Sequence, residues 1–191
     1  MVIVKLGGSL YSSPYLKEWC DQIASIHQRA VLIVPGGGPF ADQVRDADAQ
    51  WKLSEIISHK MAVMGMQQFG QLLLNINKKL KSLASIKDEI NVGAGVWLPY
   101  QDVVDYCDYP TNWQTTSDSL ALWLAGELSS SHLCLVKSAN VIDMPSEQLI
   151  NSDVVDDYFS IALKKFSGNV HFYHSTQANI FANDINNGKF D

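Results

Sequence analysis

The chain has 191 residues, of which 47% are hydrophobic and 18% charged, so one sizeable buried core is within reach and wholesale disorder is excluded. Twenty acidic against fourteen basic residues leave a formal charge of −6, the wrong sign for a surface that must neutralise many nucleic-acid phosphates. Cys20, Cys107 and Cys134 are odd in number and far apart, which argues against a disulfide framework or a Cys/His zinc site and suits reduced thiols in a cytoplasmic protein. No apolar run approaches the roughly 20 residues of a membrane span. The expectation is a single domain over 1–191, with neither a membrane nor a nucleic-acid partner.

Val2 to Leu6 is a short apolar, β-branched run ending at Gly7-Gly8, a buried strand that stops in a tight turn. Pro14 opens a helix whose Leu16, Trp19, Cys20, Ile23 and Ile26 recur at helical spacing. Ala30 to Val34 is a second strand, closed by Pro35 and three glycines. A strand–helix–strand unit this compact predicts parallel neighbours with a right-handed crossover. Phe40 to Ala49 continues as helix. Trp51 to about Leu83 reads as one long helix or two, with a break expected near Gly65 and Gly70.

Asn91 to Leu98 reads as a strand and Pro99 to Asp108 is ambiguous. Ser117 to Leu128 is helical, and His132 to Val136 is another buried strand. Val154 to Phe166 reads as an amphipathic helix and Asn169 to Tyr173 as the last strand, with a polar tail from Asn183 expected to fray. Alternating strands and helices predict an α/β fold around a largely parallel sheet.

In such sheets ligands bind beyond the carboxyl ends of the strands, and four groups of unusual residues fall there. Lys5 with Gly7, Gly8 and Ser9 closes the first strand, and Gly36, Gly37 and Gly38 close the second. Asp118 opens a helix, and Lys137 closes the strand from His132. Glycine lets a bulky anion approach backbone N–H groups, and a helix start adds partial positive charge. Either loop alone could be an ordinary strand–helix turn; two at neighbouring strand ends favour anion binding. Neither loop is a GxxxxGK[ST] phosphate loop or a GxGxxG dinucleotide fingerprint.

A lysine in an apolar strand is costly unless its ammonium group meets solvent or an anion. Two lysines flanking one transferring phosphoryl group would stabilise the charge on its oxygens. Asp118 taken alone reads as a helix-capping acid.

Together, Lys5-Leu6-Gly7-Gly8-Ser9, Pro35-Gly36-Gly37-Gly38, Thr116-Ser117-Asp118 and Lys137-Ser138 resemble, in order, the signatures of the amino acid kinase superfamily, which includes acetylglutamate, aspartate, carbamate and uridylate kinases. The resemblance implies a three-layer α/β/α sandwich with a mainly parallel central sheet. It implies phosphorylation of a carboxylate, carbamate or phosphate by ATP with Mg²⁺, which arrives with the nucleotide, so no dedicated metal cage is expected. By position, Lys5 and Lys137 would be catalytic, with Asp118 orienting them. Gly7, Gly8, Ser9 and Gly36 to Gly38 would hold phosphate, and Ser138 and Asp143 the nucleotide.

Val34 to Asp42, with Arg45, His59, Met61 and Ala62, resembles a small subgroup from methanogens and methylotrophs that phosphorylates a furan-methyl phosphate in methanofuran biosynthesis. Arg45 and His59 are the acceptor-site candidates that follow. A surface ion pair is the competing reading for Arg45, and a helix-surface position for His59. The superfamily's Asp-Gly-Val-Tyr-like segment is replaced here by Asn140 to Pro145. A uridylate-type kinase and a non-catalytic nucleotide or anion binder are the alternatives, and family likeness suggests a homo-oligomer.

Three further groups read as unremarkable. Asp102, Asp105 and Asp108 are expected on a solvated face, and Asp153, Asp156 and Asp157 at a helix start. His171 and His174 are expected as strand-end residues on opposite faces.

Overall fold

The computed structural model describes residues 1–88, 93–142, 144–150 and 152–190. Its elements are β1 (Val2–Leu6), α1 (Leu16–Ala24), β2 (Ala30–Pro35), α2 (Gly38–Trp51), α3 (Glu55–Ile76), β3 (Lys81–Leu83), β4 (Gly93–Trp97), α4 (Tyr100–Tyr106), α5 (Ser117–Glu127), β5 (His132–Lys137), α6 (Ser146–Ile150), α7 (Phe159–Leu163), β6 (Asn169–His174) and α8 (Ala178–Asn186). The strands form one sheet in the order β3-β4-β2-β1-β5-β6, and every pairing is parallel.

Strand periodicity decides what reaches each face. Val2, Val4 and Leu6 point into a core with Trp19 and Ile23 of α1, Phe69 and Leu73 of α3, and Phe181 and Ile185 of α8. Ile3, Leu32, Leu133 and Leu135 point the other way, onto α5, Trp97 and Phe159. By the same alternation Lys5 shares the face of Ile3, and Lys137 that of Leu133 and Leu135. Lys5 is paired with Leu135 in the β1–β5 register. Both lysines therefore leave the sheet on the side where α5 lies, at the ends of adjacent strands.

β1 connects outward to β2 on one side, while β5 returns to its other side. The chain reverses winding between β1 and β5, and the crevice beyond their carboxyl ends is where open α/β sheets take ligands.

Several expectations are corrected. α3 runs unbroken through Gly65 and Gly70. These glycines allow close approach instead: a Cβ on Gly65 would lie 3.0 Å from the Ala41 nitrogen, and one on Gly70 3.0 Å from Leu98. The helix ends at Ile76, and Lys81–Leu83 is an edge strand. The ambiguous stretch from Pro99 holds α4. Of the expected 154–166 helix only Phe159–Leu163 forms, because Asp156 accepts the Phe159 N–H and starts the helix there. In the expected strand from Asn91, residues 91 and 92 lie outside the described residues.

Asp102 is not on a solvated face. It is fully buried and accepts hydrogen bonds from Trp97 Nε1, the Ile86 N–H and Ser85 Oγ. His171 sits inside β6 with its Nε2 3.2 Å from His132 Nδ1, and burial, then His132, pushes its pKa down to about 4. The tail does not fray as far as it is described: α8 reaches Asn186, Lys189 pairs with Asp184, and Phe190 is buried. Among the described residues, no helix is long and apolar enough to cross a membrane.

Candidate functional site

β1 delivers Lys5 and β5 delivers Lys137 to one carboxylate. Lys5 Nζ lies 2.8 Å from Asp118 Oδ1, and Lys137 Nζ lies 2.6 Å from Oδ2. All three side chains are 11% exposed or less, so two cations and one anion share a nearly dry site with one positive charge in excess. Burial alone would raise the Asp118 pKa, but the two ammonium groups outweigh it and hold the carboxyl below its usual range. Lys137 is driven down to about 8 by burial and by the like charge of Lys5, with Asp118 opposing.

Asp118 is placed by α5, a helix buried from Ser117 to Ala125, whose first turn is held from across the chain. Asp156 accepts from the Thr116 N–H at 2.9 Å, Thr116 Oγ1 at 2.8 Å and the Ser119 N–H at 3.0 Å, and also from Ser119 Oγ. A carboxylate there satisfies donors that a helix start leaves open and complements its dipole. Sequence reading left Asp156 as a marker of the next helix, and no local spacing links it to a helix some forty positions earlier.

The two glycine loops pack backbone against backbone. A Cβ on Gly8 would lie 2.4 Å from the Gly38 nitrogen, and one on Gly36 2.3 Å from the Gly8 nitrogen. Gly38 adds a φ of +53°, a conformation side chains resist. Gly7 and Gly36 extend the sheet, donating to the Val136 and Leu6 carbonyls. Gly8 and Gly38 open helical turns, and Gly37 is the cap of α2, so their N–H groups are the ones such starts leave for an anion. Gly8→Ala is expected to lower Tm by more than 10 °C, because the methyl meets backbone that cannot rotate away. Thermal unfolding checks this, and a variant as stable as wild type would show that the loops can separate.

Two chambers meet at Gly8 and Ser9. One, of about 580 Å³, is lined by Lys5, Gly7, Lys137, Ser138, Met144 and Asp153 among others. The other, of about 400 Å³, is walled by α2, α3 and the start of α5. Ser9 Oγ and Ser138 Oγ are 2.9 Å apart, tying the β1 and β5 loops together. Asp143 lies outside the described residues.

Arg45 and His59 both line the smaller chamber. Arg45 pairs with Asp42 at 2.8 Å, as the surface-pair reading expected, and also stacks over Trp113 at 4.7 Å, which sequence did not suggest. His59 is buried, against the helix-surface reading; burial lowers its pKa, and a hydrogen bond to the Asn112 backbone opposes this. The Thr115 hydroxyl is a residue sequence reading missed. It lines the same chamber, buried and without a hydrogen-bond partner among the described residues.

Comparison with known proteins places the chain in a family. The amino acid kinase family model matches residues 1–97, which hold both glycine loops, Lys5, Arg45 and His59. The (5-(aminomethyl)furan-3-yl)methyl phosphate kinase of Methanocaldococcus jannaschii is 31% identical over 186 residues, covering 90% of this chain and 86% of that protein. The uridylate kinase of Archaeoglobus fulgidus shares the fold at 18% identity and a TM-score of 0.65, covering 94% of both chains. The UMP kinase of Ureaplasma parvum does so at 17% and 0.68, covering 98% of this chain and 95% of that one. The chain belongs to the amino acid kinase family, and it is a phosphotransferase that draws on ATP.

Proposed function

We propose that the chain transfers the γ-phosphoryl group of Mg-ATP to the phosphate of a small furan-methyl phosphate, forming a diphosphate. The observation that carries this reading is the commitment of Asp118. A carboxylate ion-paired with two lysines is a poor proton acceptor, so Asp118 is not a free base that could deprotonate an alcohol. An acceptor whose nucleophile is already ionised needs none. A phosphate monoester, with a second pKa near 6, arrives as that anion. The M. jannaschii relative, named for a substrate of this kind, supports the same choice.

In this reading the nucleotide lies in the larger chamber, with Ser138 beside it and its γ-phosphoryl group at Lys5 and Lys137. The acceptor lies in the smaller chamber, its phosphate facing Gly8, Gly37, Gly38 and Arg45. The bond from the γ-phosphorus to the β–γ bridging oxygen breaks, an acceptor phosphate oxygen forms the new bond, and ADP leaves with the electron pair. The two lysines hold the charge that spreads over the transferring oxygens, and Asp118 keeps them pointed there. The donors on the nucleotide wall, three serine hydroxyls and Asp153, suit a Mg²⁺ that enters with ATP and keeps much of its water. Bound there, Mg²⁺ would neutralise the nucleotide's β- and γ-oxygens.

The test is ADP release with a panel of acceptors that includes furan-methyl phosphates and UMP. Turnover is expected with a furan-methyl phosphate, and Arg45→Met is expected to raise its KM about 10–100-fold with a smaller change in kcat. Turnover with UMP alone would replace this acceptor with a nucleotide. Tight ATP binding without transfer to any acceptor would make the chain a binder instead.

A further inference from the structure

Behind one wall of the smaller chamber lies another cavity. It measures about 350 Å³ and is lined by Arg45, Asp48, Ala49, Lys52 and Trp113. Arg45 and Trp113 also line the chamber itself, of about 400 Å³, so these two side chains form the partition between the spaces. They are stacked, with the guanidinium carbon 4.7 Å from the centre of the indole. Stacking occupies the face of the guanidinium and leaves its N–H edge to Asp42 and to an anion.

The partition is fixed from several directions. Trp113 Nε1 donates to Asp48 of α2 at 3.0 Å. The backbone that carries Trp113 runs between α4 and α5 and is fastened on either side of the ring. Asn112 is hydrogen-bonded to His59 of α3, the Gln114 carbonyl accepts from the Tyr158 N–H at 3.0 Å, and the Thr116 N–H donates to Asp156 at 2.9 Å. A wall anchored this way rejects a larger molecule by overlap, where a loose strap would yield to it.

We infer that Trp113 is the specificity-determining residue for acceptor size: its indole closes the chamber against nucleoside monophosphates and leaves room for a phosphate ester with one small ring. This rests on the acceptor reading above, which puts the acceptor in the smaller chamber. A volume of about 400 Å³ is near the low end of small-molecule sites, which span about 300–1,000 Å³. A nucleoside monophosphate carries a sugar and a base beyond its phosphate, and that extra ring has to cross the partition. Without the indole the cavity along α2 would join the chamber, and the base would have a groove to enter.

The test compares kcat/KM for a furan-methyl phosphate and for UMP in wild type and in Trp113 variants. Wild type is expected to favour the furan compound by at least about 100-fold, and Trp113→Ala to narrow that ratio at least tenfold through a gain with UMP. Trp113→Phe keeps a ring in the wall and should stay near the wild-type ratio. Both acceptors offer a phosphate to Arg45, so the loss of its stacking partner cancels within each variant. Asp48→Ala frees the indole without touching the chamber lining; it should shift the ratio the same way by a smaller factor, and it decides the matter where Trp113→Ala does not fold. A ratio unchanged in the folded variants, one that narrows only because the furan compound is used less well, or a wild type that uses both acceptors equally overturns the role of Trp113 and leaves the furan phosphate acceptor standing. A wild type that uses UMP alone, or neither compound, overturns the acceptor reading and this inference with it.

Discussion

Replacing Lys137 by Met is expected to slow phosphoryl transfer about 10³-fold and, at pH 7, to raise Tm. The opposite signs come from one cause. Lys5, Asp118 and Lys137 bury two cations with one anion, so the trio carries one positive charge in excess. The Lys137 pKa, pushed down to about 8 from 10.5 by burial and by Lys5, records that cost. The folded chain binds fewer protons than the unfolded one between those values. The ammonium therefore opposes folding in full below about pH 8, and the penalty vanishes as pH rises to 10.5. Its size is on the order of 3 kcal/mol.

Met keeps the aliphatic stem, removes the excess charge, and leaves Asp118 paired one-to-one with Lys5. The stability gap between variant and wild type should accordingly shrink as pH is raised from 7 towards 10. Wild-type turnover at limiting ATP should fall as pH passes about 8, and saturating ATP should move that fall upward, because bound polyphosphate favours the charged lysine. A Lys137→Met protein that is less stable at pH 7, with a gap independent of pH, would show that the charge is not stored. Turnover within tenfold of wild type would remove Lys137 from the chemistry.

How far the sequence reveals this site depends on whether the signal is local. β1, β2 and β5 were legible because a fully buried parallel strand must be a short apolar run. A lysine inside such a run is conspicuous, and parallel strands put Lys5 and Lys137 at the same rim of the sheet; that they share a face follows from the β1–β5 register. α3 was misjudged at Gly65 and Gly70, where helix propensity argued for a break and packing against α2 and Leu98 overrode it. Asp102 looked solvated because its partners come from outside its own helix, Trp97 from β4 and Ser85 and Ile86 from the segment after β3. His59 is a related case: its hydrogen bond goes to the backbone of Asn112, more than fifty positions away, which nothing in the periodicity of α3 records. Contacts made by chain folding at a distance leave little trace in residue order.

Asp156→Ala is expected to destabilise the protein by about 3 kcal/mol and to lower kcat about 10–100-fold in the fraction that remains folded. The stability loss follows from what Asp156 holds: two backbone N–H groups and two hydroxyls at the start of α5, and the N–H of Phe159 at the start of α7. Bonds to an ionised acceptor are stronger than neutral ones, and donors at a buried helix start find no water in exchange. The catalytic loss follows from position. Asp118 lies between Thr116 and Ser119, the two residues Asp156 grips, so a first turn that frays moves the carboxylate away from Lys5 and Lys137. Asp157→Ala, an exposed neighbour on the same segment, should stay within about 0.5 kcal/mol of wild type. The decisive measurement is kcat at saturating substrates and low temperature, where Asp156→Ala is still folded by circular dichroism. If kcat there equals that of wild type, Asp156 merely fastens a loop. If it falls while the KM for ATP changes little, the position of Asp118 is set by a residue that never touches the substrate.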